Sequence, residues 1–80
     1  MELNHVDKML ISEVNEELQI RYGLNKEKAE KLISESSLLR MLMQRSDFVH
    51  HEGPESWASI IASNNKLKTV PLIKQKLLVN

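Results

Sequence analysis

Asp47, His50, His51 and Glu52 gather two imidazoles and two carboxylates within six positions. These are the side-chain types that move protons or hold a metal ion. Their spacing argues against either use. In a helical ligand pair such as HExxH, two histidines one turn apart share a face, whereas adjacent histidines point in different directions. The four are therefore expected to be solvated or locally hydrogen-bonded loop residues, with no metal site. His5 has no plausible neighbour in sequence and is expected at the surface. A phosphotransfer role for His50 or His51 ranks last, because it calls for an exposed position on a rigid helix and both fall in a predicted loop.

Serines at 12, 34, 36, 37, 46, 56, 59 and 63 are potential nucleophiles. A nucleophile needs a base and an oxyanion hole held beside it, and no Gly-x-Ser-x-Gly elbow is present. Gly23 and Gly53 are the only glycines, too few for a phosphate-cradling loop. No catalytic residue, cofactor or metal ligand is assigned, and the chain is not expected to be an enzyme.

These residues sit on a chain of 80, enough for one domain. A chain near this size buries only about 60% of the surface its unfolded form exposes, so stability is expected to be marginal. There are no cysteines, which excludes disulfides and thiolate zinc sites and leaves oligomerisation as one remedy. Eleven basic and eleven acidic residues cancel, against a general nucleic-acid binder. The distribution is uneven, since residues 1–55 carry 7 − 11 = −4 and residues 56–80 carry +4. The opening Met-Glu-Leu-Asn-His lacks the basic start and apolar core of a signal peptide, and no apolar run approaches the roughly 18 residues of a membrane span. A cytoplasmic location is the expectation.

The elements that must position these residues are helical. Leu3, Val6, Leu10, Val14, Leu18 and Tyr22 recur three or four apart and stack into one stripe over residues 3–22. Gly23 supplies a left-handed stop with Leu24 folding back, and Asn25 is a good N-cap for the next helix. So short a connection predicts an antiparallel helical hairpin. Helix two is expected from Lys26 to about Gln44, with Ala29, Leu32, Ile33, Ser36, Leu39 and Met43 on its core face. Residues 45–53 break the period and read as a loop, with Phe48 and Val49 plugging the core. Pro54 opens a third helix bearing Trp57, Ile60 and Ile61, with Ala58 and Ala62 permitting close approach, and that helix is expected to fray at Asn64-Asn65.

The fold class is thus all-α: a three-helix bundle built on an N-terminal antiparallel hairpin, or a four-helix one if the tail is helical. Residues 1–64 form the helical domain and residues 65–80 a basic C-terminal arm or short fourth helix. The arm is expected to dock on an acidic surface or to pack back on its own bundle. Likeness to helix-turn-helix or ubiquitin-associated domains would concern shape alone, because neither residue pattern is present.

The leading functional expectation is a small protein-interaction or regulatory module that binds another protein or a second copy of itself. Leu38, Met41 and Leu42 add a second apolar face near the end of helix two. With Trp57 they form the expected contact, rimmed by Arg40 and Arg45; the alternative is that helix three and the loop cover that face within the chain. The alternative is a nucleic-acid-binding regulator in which Lys66, Lys68, Lys74 and Lys76 neutralise phosphates. The partner and the biological process are not specified by these residues.

Overall fold

The computed structural model describes residues 3–70, and among them the chain is all-helical, with three helices and no strand. Helix α1 spans His5–Tyr22. The Asn4 side chain accepts from the Asp7 backbone N–H at 2.8 Å, satisfying one of the donors that a helix start leaves open. At the other end Gly23 takes φ 70°, and the N–H groups of Gly23 and Leu24 turn back to the carbonyls of Gln19 and Leu18. Leu24 packs half-buried against the core, as a hydrophobic partner to that cap should.

Leu10, Val14 and Leu18 are the buried stripe of α1. Val6 departs from the expected pattern and is exposed, while Asp7 is buried one position on. Asp7 lies four residues after Leu3 and three before Leu10, so a carboxylate holds the place that an apolar side chain was expected to fill.

Helix α2 spans Lys26–Glu35 and buries Ala29, Leu32 and Ile33, with Asn25 capping through its side chain to Lys28 N–H at 2.7 Å. It is shorter than the sequence predicts. Ser36 is extended at φ −87° and ψ 175°, and its hydroxyl donates to the Ile33 carbonyl at 2.6 Å and accepts from Leu38 N–H at 3.2 Å. A serine that satisfies backbone groups on both sides offers the chain an alternative to continuing the helix. The break resets the helical phase. Leu38 is consequently buried in place of Leu39, and Met43 is exposed.

Helix α3 spans Leu38–Asn64 and carries non-helical backbone at Arg45 (φ −144°, ψ 60°) and Gly53 (φ 81°, ψ 167°). The predicted loop at 45–53 is therefore a short helical stretch set between two bends. Val49 is buried as expected, but Phe48 is exposed, with the Arg45 guanidinium 5.6 Å from its ring centre. Across the Gly53 bend, the Trp57 indole N–H donates to the Val49 carbonyl at 3.2 Å. Trp57, Ala58, Ile61 and Ala62 complete the core, whereas Ile60 is partly exposed.

Beyond α3, Asn65 caps the helix and Lys66 adopts a left-handed φ of 58°. Leu67 N–H bonds the Ala62 carbonyl at 2.9 Å, and its side chain packs on the core. Val70 N–H then reaches the Arg21 carbonyl at 2.8 Å. The first residues of the expected arm thus lie on the chain's own bundle. Lys74, Lys76 and the short fourth helix lie outside the described residues.

At Gly53 a Cβ atom would meet nothing within 4 Å, so the demand for glycine comes from the backbone angles alone. That region is almost exclusive to glycine, and a side chain there costs about 1–3 kcal/mol. Gly53→Ala should lower the unfolding free energy by that amount in a denaturant titration. Ser59→Ala, on the exposed side of the same helix, should change it by no more than about 0.5 kcal/mol.

Candidate functional site

The polar centre of the molecule is Asp7. Its Oδ1 accepts from Ser46 Oγ at 3.0 Å and pairs with His50 Nε2 at 2.6 Å. Ser46 and His50 are four residues apart on the helical stretch between the two bends of α3, so they share a face. Asp7 sits in the first turn of α1, where the macrodipole favours a negative charge. Its carboxyl is held below its ordinary value of 3.8, first by the His50 hydrogen bond. Burial opposes that effect, and Ser46, the Asn4 backbone and the charge on a protonated His50 add to it.

Aspartate, histidine and serine are the residue types of a hydrolytic triad, but the connections differ. In a triad the serine bonds the histidine and the histidine bonds the carboxylate. Here both donors converge on one oxygen of Asp7, so the arrangement fastens α1 to α3 instead of setting His50 as the base for Ser46.

The sequence cluster Asp47, His50, His51 and Glu52 is not brought together as a ligand set. Asp47, His51 and Glu52 are exposed, and no group of three or more histidine, aspartate or glutamate residues suited to a metal ion occurs among the described residues. His50 departs from the expected loop role: it stands on a helix with 30% of its side chain exposed and a buried partner. Two signals pointed to this pairing. One is the acid at a core position of the α1 stripe, and the other is the four-residue spacing of Ser46 and His50.

The expected contact residues divide. Leu38, Leu42 and Trp57 are buried within the chain's own core, Met41 is half-buried against it, and Arg40 and Arg45 are exposed. The apolar face expected from Leu38 and Leu42 is covered because the break at Ser36 turns both inward. Large hydrophobic side chains are exposed elsewhere: Val6, Met9, Met43 and Phe48 all lie within three residues of Asp7 or Ser46. Met43, Arg45, Ser46 and Phe48 line a shallow recess there. Lys66 and Lys68 are exposed, and no helix among the described residues is long and apolar enough to cross a membrane.

Comparison with protein-family models, curated proteins and solved structures gives no match for the chain.

Because the folded Asp7 carboxyl titrates below its unfolded value, the unfolded chain binds the extra proton first as pH falls. The stabilisation from this group is complete above the ordinary value of 3.8 and is lost as pH drops through the depressed folded value. Urea midpoints should therefore fall more steeply below about pH 4 for the native chain than for Asp7→Asn. Parallel curves for the two proteins would contradict the assignment.

Proposed function

We propose that this chain is a small protein-interaction module whose contact face is the meeting point of the α1 start and the middle of α3, with a second copy of the chain as the partner. The observation that carries the reading is the exposure of Val6 and Met9, next to Asp7 in sequence, and of Met43 and Phe48, next to Ser46, on the two segments that the Asp7–Ser46 and Asp7–His50 contacts join. Large exposed apolar side chains on neighbouring segments are a feature of association surfaces. Two of the four are methionines, which adapt to irregular partners. Arg45 supplies a rim charge, while Leu38, Leu42 and Trp57 hold the shape of α3 from beneath. The −4 of residues 1–55 and the +4 of residues 56–80 give a self-complementary charge pattern that favours a second copy.

The scaffold is taken to be an antiparallel α1–α2 hairpin on which α3 lies. Its support is the three-residue connection and the reach of Asn15 Nδ2 to the Lys26 carbonyl at 3.4 Å. The nucleic-acid alternative draws on exposed Lys66 and Lys68, but residues 54–64 hold no lysine or arginine to meet base edges.

Light scattering or sedimentation at micromolar concentration tests the reading. The native chain should show a concentration-dependent rise in mass, and Phe48→Asp should abolish it with an unchanged circular dichroism spectrum. A native chain that stays monomeric throughout would remove self-association. Leu42→Asp should instead unfold the protein, since Leu42 is only 2% exposed.

A further inference from the structure

We propose that two copies of this chain exchange the strap formed by residues 65–70, each seating its Leu67 and Val70 on the bundle of the other. The seat lies at the C-terminus of α1, roughly 20 Å along the helix from Asp7, so the proposal stands apart from the association face above. Three observations carry it. The strap has a specific seat, because Leu67 packs on the core and Val70 N–H donates to the Arg21 carbonyl at 2.8 Å. Glycine shapes that seat: a Cβ at Gly23 would stand 2.9 Å from Val70 Cγ1, closer than carbon atoms approach. The hinge before the strap is strained. Lys66 holds a left-handed φ of 58° while its N–H and that of Leu67 return to the carbonyls of Ser63 and Ala62.

A left-handed helix stop of this kind is one that chains usually close with glycine. Helix α1 does so, since Gly23 takes φ 70° at its own end. At the end of α3 a lysine stands there instead, and a residue with a Cβ in that region is under strain that its surroundings must hold. The seated strap and the hinge therefore oppose one another within one chain. In a second copy the opposition is lifted. Its seat is built of the same residues, so Leu67 and Val70 find identical contacts there, while Lys66 is free to relax to a negative φ as the chain runs on to its neighbour. A strained hinge before a docked segment is the arrangement that favours exchange.

A short linker holds the chain's own strap at an effective concentration in the millimolar range, so exchange is sought by refolding the full chain at millimolar concentration, well above the micromolar test of the association face. Phe48→Asp is included throughout, which removes that face from the measurement. Size-exclusion chromatography should show a dimer, and in dimers refolded from isotope-labelled and unlabelled copies the Val70 methyls should give intermolecular NOEs to the Gly23 α-protons. Lys66→Gly, which removes the strain, should weaken the dimer by on the order of tenfold for each of its two hinges, about a hundredfold in dissociation constant. Lys66→Thr keeps the N–H and worsens the strain through its branched Cβ, so it should strengthen the dimer. If Phe48→Asp fails to fold, the same NOEs and the same hinge comparison in the otherwise native chain decide. Absence of a dimer after refolding, a dimer whose Val70–Gly23 contact stays within each chain, or a dimer insensitive to both Lys66 substitutions would each overturn the proposal.

Discussion

A carboxylate under a layer of protein must find donors or give up its charge, and Asp7 shapes the molecule through that requirement. Desolvating an ionised group without partners is among the larger penalties a fold can incur. The two donors that satisfy Asp7 come from residues 46 and 50, on an element that closes far along the chain. This stretch of α3 is therefore held at one height along α1, with His50 and Ser46 turned inward. Apolar contacts such as Leu10 and Val14 tolerate sliding by a fraction of a turn. A hydrogen bond of 2.6 Å does not, so the polar fastening sets the register that the hydrophobic core leaves loose.

The bends of α3 follow from the same constraint. An unbroken helix from Leu38 to Asn64 would run about 40 Å and could follow α1 along only one face. With non-helical backbone at Arg45 and Gly53, the middle stretch can present Ser46, Val49 and His50 while Leu38 and Leu42 before it and Trp57 and Ile61 after it also turn inward. The Trp57–Val49 hydrogen bond then closes the second bend with a buried donor satisfied. Phe48 and Met43 are left outside by this geometry, so their exposure is a consequence of where the bends fall.

Much of this was legible in the sequence, and the parts that were not have identifiable causes. The stripe of Leu10, Val14 and Leu18, the trio Ala29, Leu32 and Ile33, the Gly23 stop and the Asn25 cap all rest on local preference and agree with their tertiary setting. Ser36 was read as a helix-face residue because a serine inside a helix and one that ends it are the same letter; its backbone hydrogen bonds decide between them. The interruption at Arg45 falls where the apolar period was read to break, but the helical turn between Arg45 and Gly53 was read as loop because its apolar residues, Phe48 and Val49, are too few to show a period. Asp7 was passed over for a different reason. A pattern built from apolar residues selected Val6 beside it, although the spacing from Leu3 to Leu10 placed Asp7 on the core side.

The reach of these contacts along the chain bears on the order of synthesis. Asp7 bonds a residue 43 positions later, and Arg21 receives an N–H from Val70 and pairs with Glu55. Helix α1 leaves the ribosome before α3, and its carboxylate has neither of its two side-chain donors until Ser46 and His50 have followed. Through much of translation α1 and α2 can bury only part of their apolar faces, and the last contact at Arg21 awaits Val70. Contacts so distant in sequence slow folding relative to a bundle closed by local pairs, because the loop must be ordered before the contact forms. Until α3 has followed, Leu10, Val14 and Leu18 are incompletely covered, so the stripe that becomes the core is apolar surface exposed to water.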